Sequence, residues 1–191
     1  MMLTGRKIFH LVSPFLKILH FLFRMVPISI CSYLWRLSNF LPSLFGVGFR
    51  YVLAKRLLST VGENVYFGTN VVIKNGKGIS IGNNVSVHDS CYLDGEGGIK
   101  IGDDVSIAHQ TSLISFEHTW NDLSLPIKYN CTSKGEINIH DDVWIGCGVR
   151  ILSGVNIYSR SIVAAGAVVN GDVEYGFIYG GIPARKIKSI I

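Results

Sequence analysis

At 191 residues the chain is long enough for one domain with a substantial core and too short for two full-sized ones. Its 48% hydrophobic and 16% charged residues make it more apolar and less charged than an ordinary soluble globular protein. The net charge of +5 is unevenly placed, since Arg6, Lys7, Lys17, Arg24, Arg36, Arg50, Lys55 and Arg56 all precede the first acidic residue, Glu63; these cations alternate with Phe, Leu, Ile and Trp, which argues against a nucleic-acid surface.

Residues 1–60 form a basic, apolar segment of the kind that meets anionic lipid. Pro14, Pro27 and Pro42 divide it into two or three short helices, with Ser13 and Pro14 placed to start one as N-cap and first helical residue. The longest uncharged stretch, Leu37 to Phe49, contains Pro42 and two glycines and falls short of the ~20 apolar residues that a span needs. Helices lying in or dipping into the interface are therefore expected. Pro14 also interrupts the run Ile8–Leu16 that a signal peptide would use, and no A-x-A-like cleavage site follows, so the segment is expected to be retained. Cys31, Cys91, Cys131 and Cys147 show neither metal-like spacing nor a disulfide framework and read as reduced thiols. Together these features predict a cytoplasmic protein, peripheral or monotopic at the inner face of the cell membrane.

From residue 61 to 191 a different pattern holds. Aliphatic or Phe residues recur in steps of six within successive triplets, at Val61, Phe67 and Ile73, then Ile81, Val87 and Leu93, then Ile101, Ile107 and Leu113, and after a gap at Ile139, Ile145 and Ile151, then Ile157, Val163 and Val169. A second, smaller inward position follows many of them by four, as at Val65, Val71, Cys91, Thr111, Val149 and Ala167. A helix repeats at 3.6 and a flat strand at 2, so this period fits neither. It predicts an all-β solenoid of about five coils, three short strands per coil, standing roughly 24 Å tall.

Between Leu113 and Ile139, where the repeat asks for one step, about 20 additional residues leave the coil, giving a loop over about 115–136. The loop contains Ser115-Phe116-Glu117-His118-Thr119-Trp120-Asn121-Asp122 and is followed by Asp142-Val143-Trp144-Ile145-Gly146. The tail, about 174–191, ends in Gly180-Gly181-Ile182-Pro183-Ala184-Arg185-Lys186-Ile187. Over most of Val61 to Ile187 these residues resemble the hexapeptide-repeat acyltransferase family, with the nearest likeness to bacterial O-acetyltransferases of capsule, lipopolysaccharide or exopolysaccharide sugars. The resemblance implies a left-handed parallel β-helix, although the general crossover rule favours the right hand. It also implies acetyl-CoA as co-substrate, no metal, and a homotrimer with active sites between subunits.

Carried over residue by residue, the resemblance makes His118 the base that removes the acceptor hydroxyl proton, a task suited to imidazole. Glu117 or Asp122, or a carbonyl, is expected to orient it. Trp144 is expected to form a groove wall, and Trp120 either stacks on the acceptor or packs the loop. Asp94, at a corner where the coil gains two residues, either meets acceptor hydroxyls or serves the turn. Coenzyme A is expected against Gly146, Cys147, Ala165, Gly166, Arg185 and Lys186, with the Gly146 or Cys147 amide stabilising the oxyanion. One departure stands out: Asn170-Gly171 replaces the family's usual Thr-Lys.

Three other readings compete. A zinc hydratase on the same architecture needs an HxxxxH-like pair, and no two histidines here have that spacing. A non-catalytic scaffold leaves the His-bearing loop unexplained. A soluble acetyltransferase for serine, a free sugar or an antibiotic gives no reason for the basic apolar segment, which favours a sugar hydroxyl in a surface polysaccharide or its lipid-linked precursor.

Overall fold

The computed structural model describes residues 5–191. From Thr60 onward the chain winds as a parallel β-solenoid with three faces. The first face stacks Thr60–Val61, Ile79–Ile81, Ile99–Ile101, Ile137–Ile139 and Asn156–Ile157. The second stacks Tyr66–Phe67, Ser86–Val87, Ser106–Ile107, Trp144–Ile145, Ile162–Val163 and Phe177–Gly180, after which Arg185–Ser189 folds back antiparallel on the last of these. The third stacks Val72–Lys74, Tyr92–Asp94, Ser112–Ile114, Arg150–Ile151 and Val168–Val169. The 5-stranded first and third faces make five complete coils, and Phe177–Gly180 with the Val173 to Ile157 bridge begins a sixth.

The corners explain the turn residues. Asn64, Asn84, Asp104 and Asp142 stack at the corner between first and second faces, at φ values of 54°, 56°, 57° and 56°. Asn and Asp tolerate this left-handed region because their short polar side chains bond locally. At the same corner each coil's acidic or amide side chain takes a backbone N–H from the coil below: Asn83 from Glu63 at 2.9 Å, Asp103 from Asn83 at 2.6 Å, and Asp141 from Asp103 at 2.7 Å. Glycine is needed at position 82, where a Cβ would lie 2.3 Å from the Asp103 carboxylate.

The inward columns fill the prism. Phe67, Val87, Ile107, Ile145 and Val163 are fully buried, and each such side chain contributes about 1.5–3 kcal/mol of transfer free energy. Ile79, Ile99 and Ile137 are equally buried although they fall outside the six-residue count. Their inclusion follows from coil length, which is 20 residues in the lower coils, as between Asn83 and Asp103, and 18 near the top, as between Asn138 and Asn156. The two additional residues enter at the corner between third and first faces and bring one more isoleucine inward. Ile73, counted as inward, is only half-buried, because it lies beside a groove on the lowest coil.

Among the described residues three α-helices close the lower end: α1 (Gly5–Phe23), α2 (Ile28–Leu37) and α3 (Ser43–Leu57). Pro14 lies inside the 19-residue α1, which corrects the expectation of a helix start there. Proline removes the N–H that would bond the carbonyl four residues back. The Ser13 hydroxyl supplies a replacement, donating to the His10 carbonyl at 3.2 Å. Helix α3 covers the open end of the core; α1 packs on it through Phe9 against Tyr51 and Phe23 against Phe49, and Trp35 of α2 stands edge-on to the Phe67 ring of the lowest coil.

Backbone groups left open on the lowest coil are met from the helices. Trp35 Nε1 donates to the Val71 carbonyl at 2.8 Å and the Tyr51 hydroxyl to Gly62 at 2.9 Å. Burial, with Glu63 adding to it, pushes the Tyr51 phenol up to about 12. The buried Arg50 donates from Nε to the Phe67 carbonyl at 2.9 Å and from Nη1 to Ser38 at 3.0 Å. An Arg50→Ala substitution leaves the Phe67 carbonyl without its donor, while the Ser38 carbonyl keeps the Leu41 N–H, and is expected to lower stability by about 1–3 kcal/mol. The urea midpoint of unfolding measures this, and an unchanged midpoint would show that the cap is dispensable.

Candidate functional site

The inserted segment has its own order. It leaves the coil after Ser112–Ile114 as a two-stranded antiparallel ribbon, Phe116–His118 against Thr132–Lys134, in which His118 pairs with Thr132 and Phe116 with Lys134. Beyond the ribbon, Thr119 donates from both its amide and its hydroxyl to the Cys131 carbonyl. The loop tip is pinned by Asn130, buried within it: its Oδ1 accepts the Asp122 N–H at 2.9 Å, and its Nδ2 reaches the carbonyls of Asp122, Leu125 and Pro126. Sequence reasoning missed Asn130, although an Asn shortly after a Leu-Pro pair is a usable signal for side-chain bonding to turn backbone.

His118 is exposed at the ribbon's outer end. Strand alternation puts it on the same side as Phe116, with ring centroids 6.4 Å apart and planes at 70°, and puts Glu117 on the opposite side. Asp122 accepts the Ser124 amide at 2.9 Å and hydroxyl at 2.6 Å, and these bonds hold its carboxyl below the usual range. Neither carboxylate therefore orients His118, which corrects that expectation. Among the described residues no hydrogen bond reaches the imidazole, so both its nitrogens are open to an incoming group. Trp120 is 65% exposed and does not pack the loop.

A second group of candidate residues lies at the corner between second and third faces. Trp144 is 54% exposed between the buried Val143 and Ile145. The Gly146 amide donates to the Val163 carbonyl at 2.8 Å, and a Cβ there would meet the Ala165 nitrogen at 2.6 Å. Gly146 is thus a close-packing residue and not an available oxyanion donor. The Cys147 amide makes no hydrogen bond among the described residues, while its carbonyl accepts from Gly166 at 2.8 Å. Gly166 has a φ of +72° and open space where a Cβ would stand, beside the exposed Ala165, so the corner presents a smooth ledge of small residues.

Other expected contacts are redistributed. Asp94 is only 5% exposed. Its carboxylate accepts from Asn75 Nδ2 at 2.7 Å and the Tyr92 hydroxyl at 3.3 Å, so it serves the turn and does not face an acceptor. Lys186 is ion-paired with Glu174 and lies 4.0 Å over the Phe177 ring. It therefore braces the tail, leaving the exposed Arg185 as the freer cation there. Asn170 and Gly171 are exposed at a turn whose next residue, Asp172, accepts the Asn156 N–H at 2.9 Å.

The two groups stand at opposite edges of the third face. His118 springs from the edge shared with the first face, whereas Trp144, Cys147, Ala165 and Gly166 lie toward the edge shared with the second. Among the described residues no hydrogen bond links the loop to that ledge. A single copy of the chain does not bring them together. Replacing Asn130 with Ala is expected to speed proteolytic cleavage within residues 119–131 at least severalfold, with little change in the urea midpoint; equal cleavage rates would show that Asn130 does not hold the loop.

No family model matches the chain. Over 146 residues it is 32% identical to galactoside O-acetyltransferase of Escherichia coli (strain K12), a match covering 74% of this chain and 68% of that protein. A hexapeptide-repeat containing acetyltransferase from Vibrio cholerae O1 biovar eltor, solved in complex with acetyl coenzyme A, superposes with a TM-score of 0.76 at 30% identity, over 86% of this chain and 87% of that one. A maltose O-acetyltransferase from Clostridium difficile 630 superposes with a TM-score of 0.77 at 27% identity, over 85% and 86%. The chain spans 36%, 26% and 55% of the lengths of three further curated acetyltransferases.

Proposed function

This chain belongs to the hexapeptide-repeat acetyltransferases, and from that premise we propose that it transfers the acetyl group of acetyl-CoA to a sugar hydroxyl, with His118 as general base. The observation that carries the proposal is the ordered ribbon that lifts an unpartnered His118 out of a coil otherwise alike, over 86% of its length, to a protein solved with acetyl coenzyme A. Imidazole takes the hydroxyl proton as the oxygen attacks the thioester carbonyl; collapse of the tetrahedral intermediate breaks the C–S bond, and the proton passes from the imidazolium to the thiolate, so that coenzyme A leaves as the free thiol. The free Cys147 amide is the backbone donor in this reading, and the ledge of Ala165 and Gly166 lets the pantetheine arm run close to the backbone.

A homotrimer is part of the proposal. Because base and ledge occupy opposite edges of one face, a neighbouring prism placed against that face supplies the missing half of the site. His118→Ala is expected to lower kcat by about 10²- to 10⁴-fold with coenzyme A binding retained. Transfer to a galactoside assayed beside coenzyme A binding decides it, and full activity in the variant would remove His118 from the chemistry.

The galactoside and maltose relatives are named for small-sugar acceptors. The finer reading, a sugar of a surface polysaccharide or its lipid-linked precursor, is supported by the helices. Helix α1 buries Leu16 and half-buries Phe9, Leu19 and Phe23. Its outward side bears Leu11, Phe15, Ile18 and Leu22, with Met25 just beyond, all exposed and spaced as a second apolar stripe. An apolar face of this kind marks an interaction site, and Arg24 follows the helix end beside Met25. No helix among the described residues is long and apolar enough to cross a membrane. Peripheral attachment at the inner membrane face follows from this reading. The full chain is expected to sediment with vesicles containing phosphatidylserine and to lose that association when Ile18 and Leu22 are both changed to Glu. Equal recovery of both proteins in the supernatant would overturn the attachment.

A further inference from the structure

Between α2 and the lowest strand of the third face runs a half-open groove of about 910 Å³, within the size range of small-ligand sites. Four cationic side chains line it: Arg36 from α2, Lys74 and Lys77 from the lowest coil, and Lys134 from the ribbon. Glu96 is the one carboxylate among the lining residues. Lys77 is held by the carbonyls of Arg56 and Leu58, at 2.8 and 3.0 Å, and Lys134 pairs with Glu96 at 3.4 Å. Arg36 and Lys74 have no side-chain hydrogen-bond or ion-pair partner among the described residues. The floor between them is partly apolar, with the half-buried Ile73 and the exposed Val72.

A groove with surplus positive charge over an apolar floor suits neither a neutral sugar alone nor a plain lipid. Guanidinium and ammonium groups facing one space match the oxygens of a phosphate ester. The groove also has a direction. Lys134 pairs with Phe116, two residues along the ribbon from the His118 pair, which is about 7 Å. On its opposite side α2 exposes Ile30, Tyr33 and Leu37. A sugar phosphate held between Arg36 and Lys74 thus has the His118 ribbon on one hand and an apolar helix layer on the other.

We propose that this groove binds the phosphate of a phosphorylated glycan acceptor, a sugar carried as a phosphate or diphosphate ester. The proposal rests on the reading of the chain as a sugar acetyltransferase and names the acceptor class. Its test is calorimetric titration of the full chain, and of the Arg36→Gln, Lys74→Gln double variant, with galactose 1-phosphate, inorganic phosphate and galactose on a farnesyl diphosphate. Both substituted residues lie on the surface, and an Arg6→Gln variant controls for loss of charge outside the groove.

Galactose 1-phosphate is expected to bind, and to bind about tenfold or more weakly to the double variant and in high salt, while the control variant matches the wild type. Tighter binding of the farnesyl compound identifies the lipid-linked source, and equal binding identifies the soluble ester; both support the phosphate site. Inorganic phosphate binding as tightly as the sugar phosphate, or affinities unchanged in the double variant, would overturn it. Acetylation assays separate the two readings. If sugar phosphate binds through Arg36 and Lys74 but no sugar is acetylated, the transfer reading fails and the groove stands. If a neutral galactoside is acetylated equally by both proteins and no phosphate ester binds, the groove fails and the transfer reading stands.

Discussion

Each coil of this molecule hydrogen-bonds only to the coils directly above and below it, so the strands must keep register from Thr60 to Val169. Val61 pairs with Ile81, Ile81 with Ile101, Ile101 with Ile139, and Ile139 with Ile157. A residue inserted inside a strand would turn every later side chain to the wrong side. Additions are therefore confined to corners, and the corner between third and first faces takes them all: two residues in each lower coil and the whole His118 loop in the third. The site owes its place to this restriction. The loop begins and ends within one rung, Ser115 and Gly135 being joined by a backbone bond of 3.0 Å, and the coil resumes as though nothing had left it.

The solenoid was legible because its core is a column, and a column of Ile, Val and Leu at fixed spacing leaves a periodic trace. The misreadings arise where the period is locally broken. Ile79, Ile99 and Ile137 escaped the count because they belong to the corner additions, and Ile73 was counted inward although a groove adjoins it. Handedness left no trace in the period and came from the family alone. In the site, residue types were readable but hydrogen-bond occupancy was not. Nothing in the string Trp144-Ile145-Gly146-Cys147 says that the Gly146 amide is used by the ladder while the Cys147 amide is free. Likewise Asp94, Asp122 and Lys186 have the chemistry of ligand contacts, and each is already held by a neighbour: Asn75, Ser124 and Glu174.

The helical segment and the solenoid divide the charge between them. All the cations of the first 60 residues lie in helices or beside them, whereas the coil corners are lined with Asp and Asn that serve the stack. Among the described residues two long-range ion pairs join the parts, Arg6 with Asp104 at 3.4 Å and Lys17 with Glu63 at 3.6 Å. Both are exposed and contribute little to stability. Attachment of the helices rests instead on the buried bonds of Trp35, Arg50 and Tyr51 to the lowest coil, together with the aromatic contacts of α1 and α2.

Those bonds have a counterpart at the other end. The tail from Val173 onward reaches the uppermost strand of every face: Val173 bonds with Asn156 and Tyr158, Tyr179 with Ala164, and Ala184 with Val168. A stack of coils is by nature open at both ends, and each open rung is a template on which another chain could continue the ladder. Here the lower rung meets side-chain donors from helices and the upper rung meets a strand of the chain's own tail. Each end thereby offers another chain fewer free backbone groups than a bare rung would, and the outermost strand, Arg185–Ser189, carries Arg185, Lys186 and Lys188, charges of the kind that discourage edge-to-edge pairing.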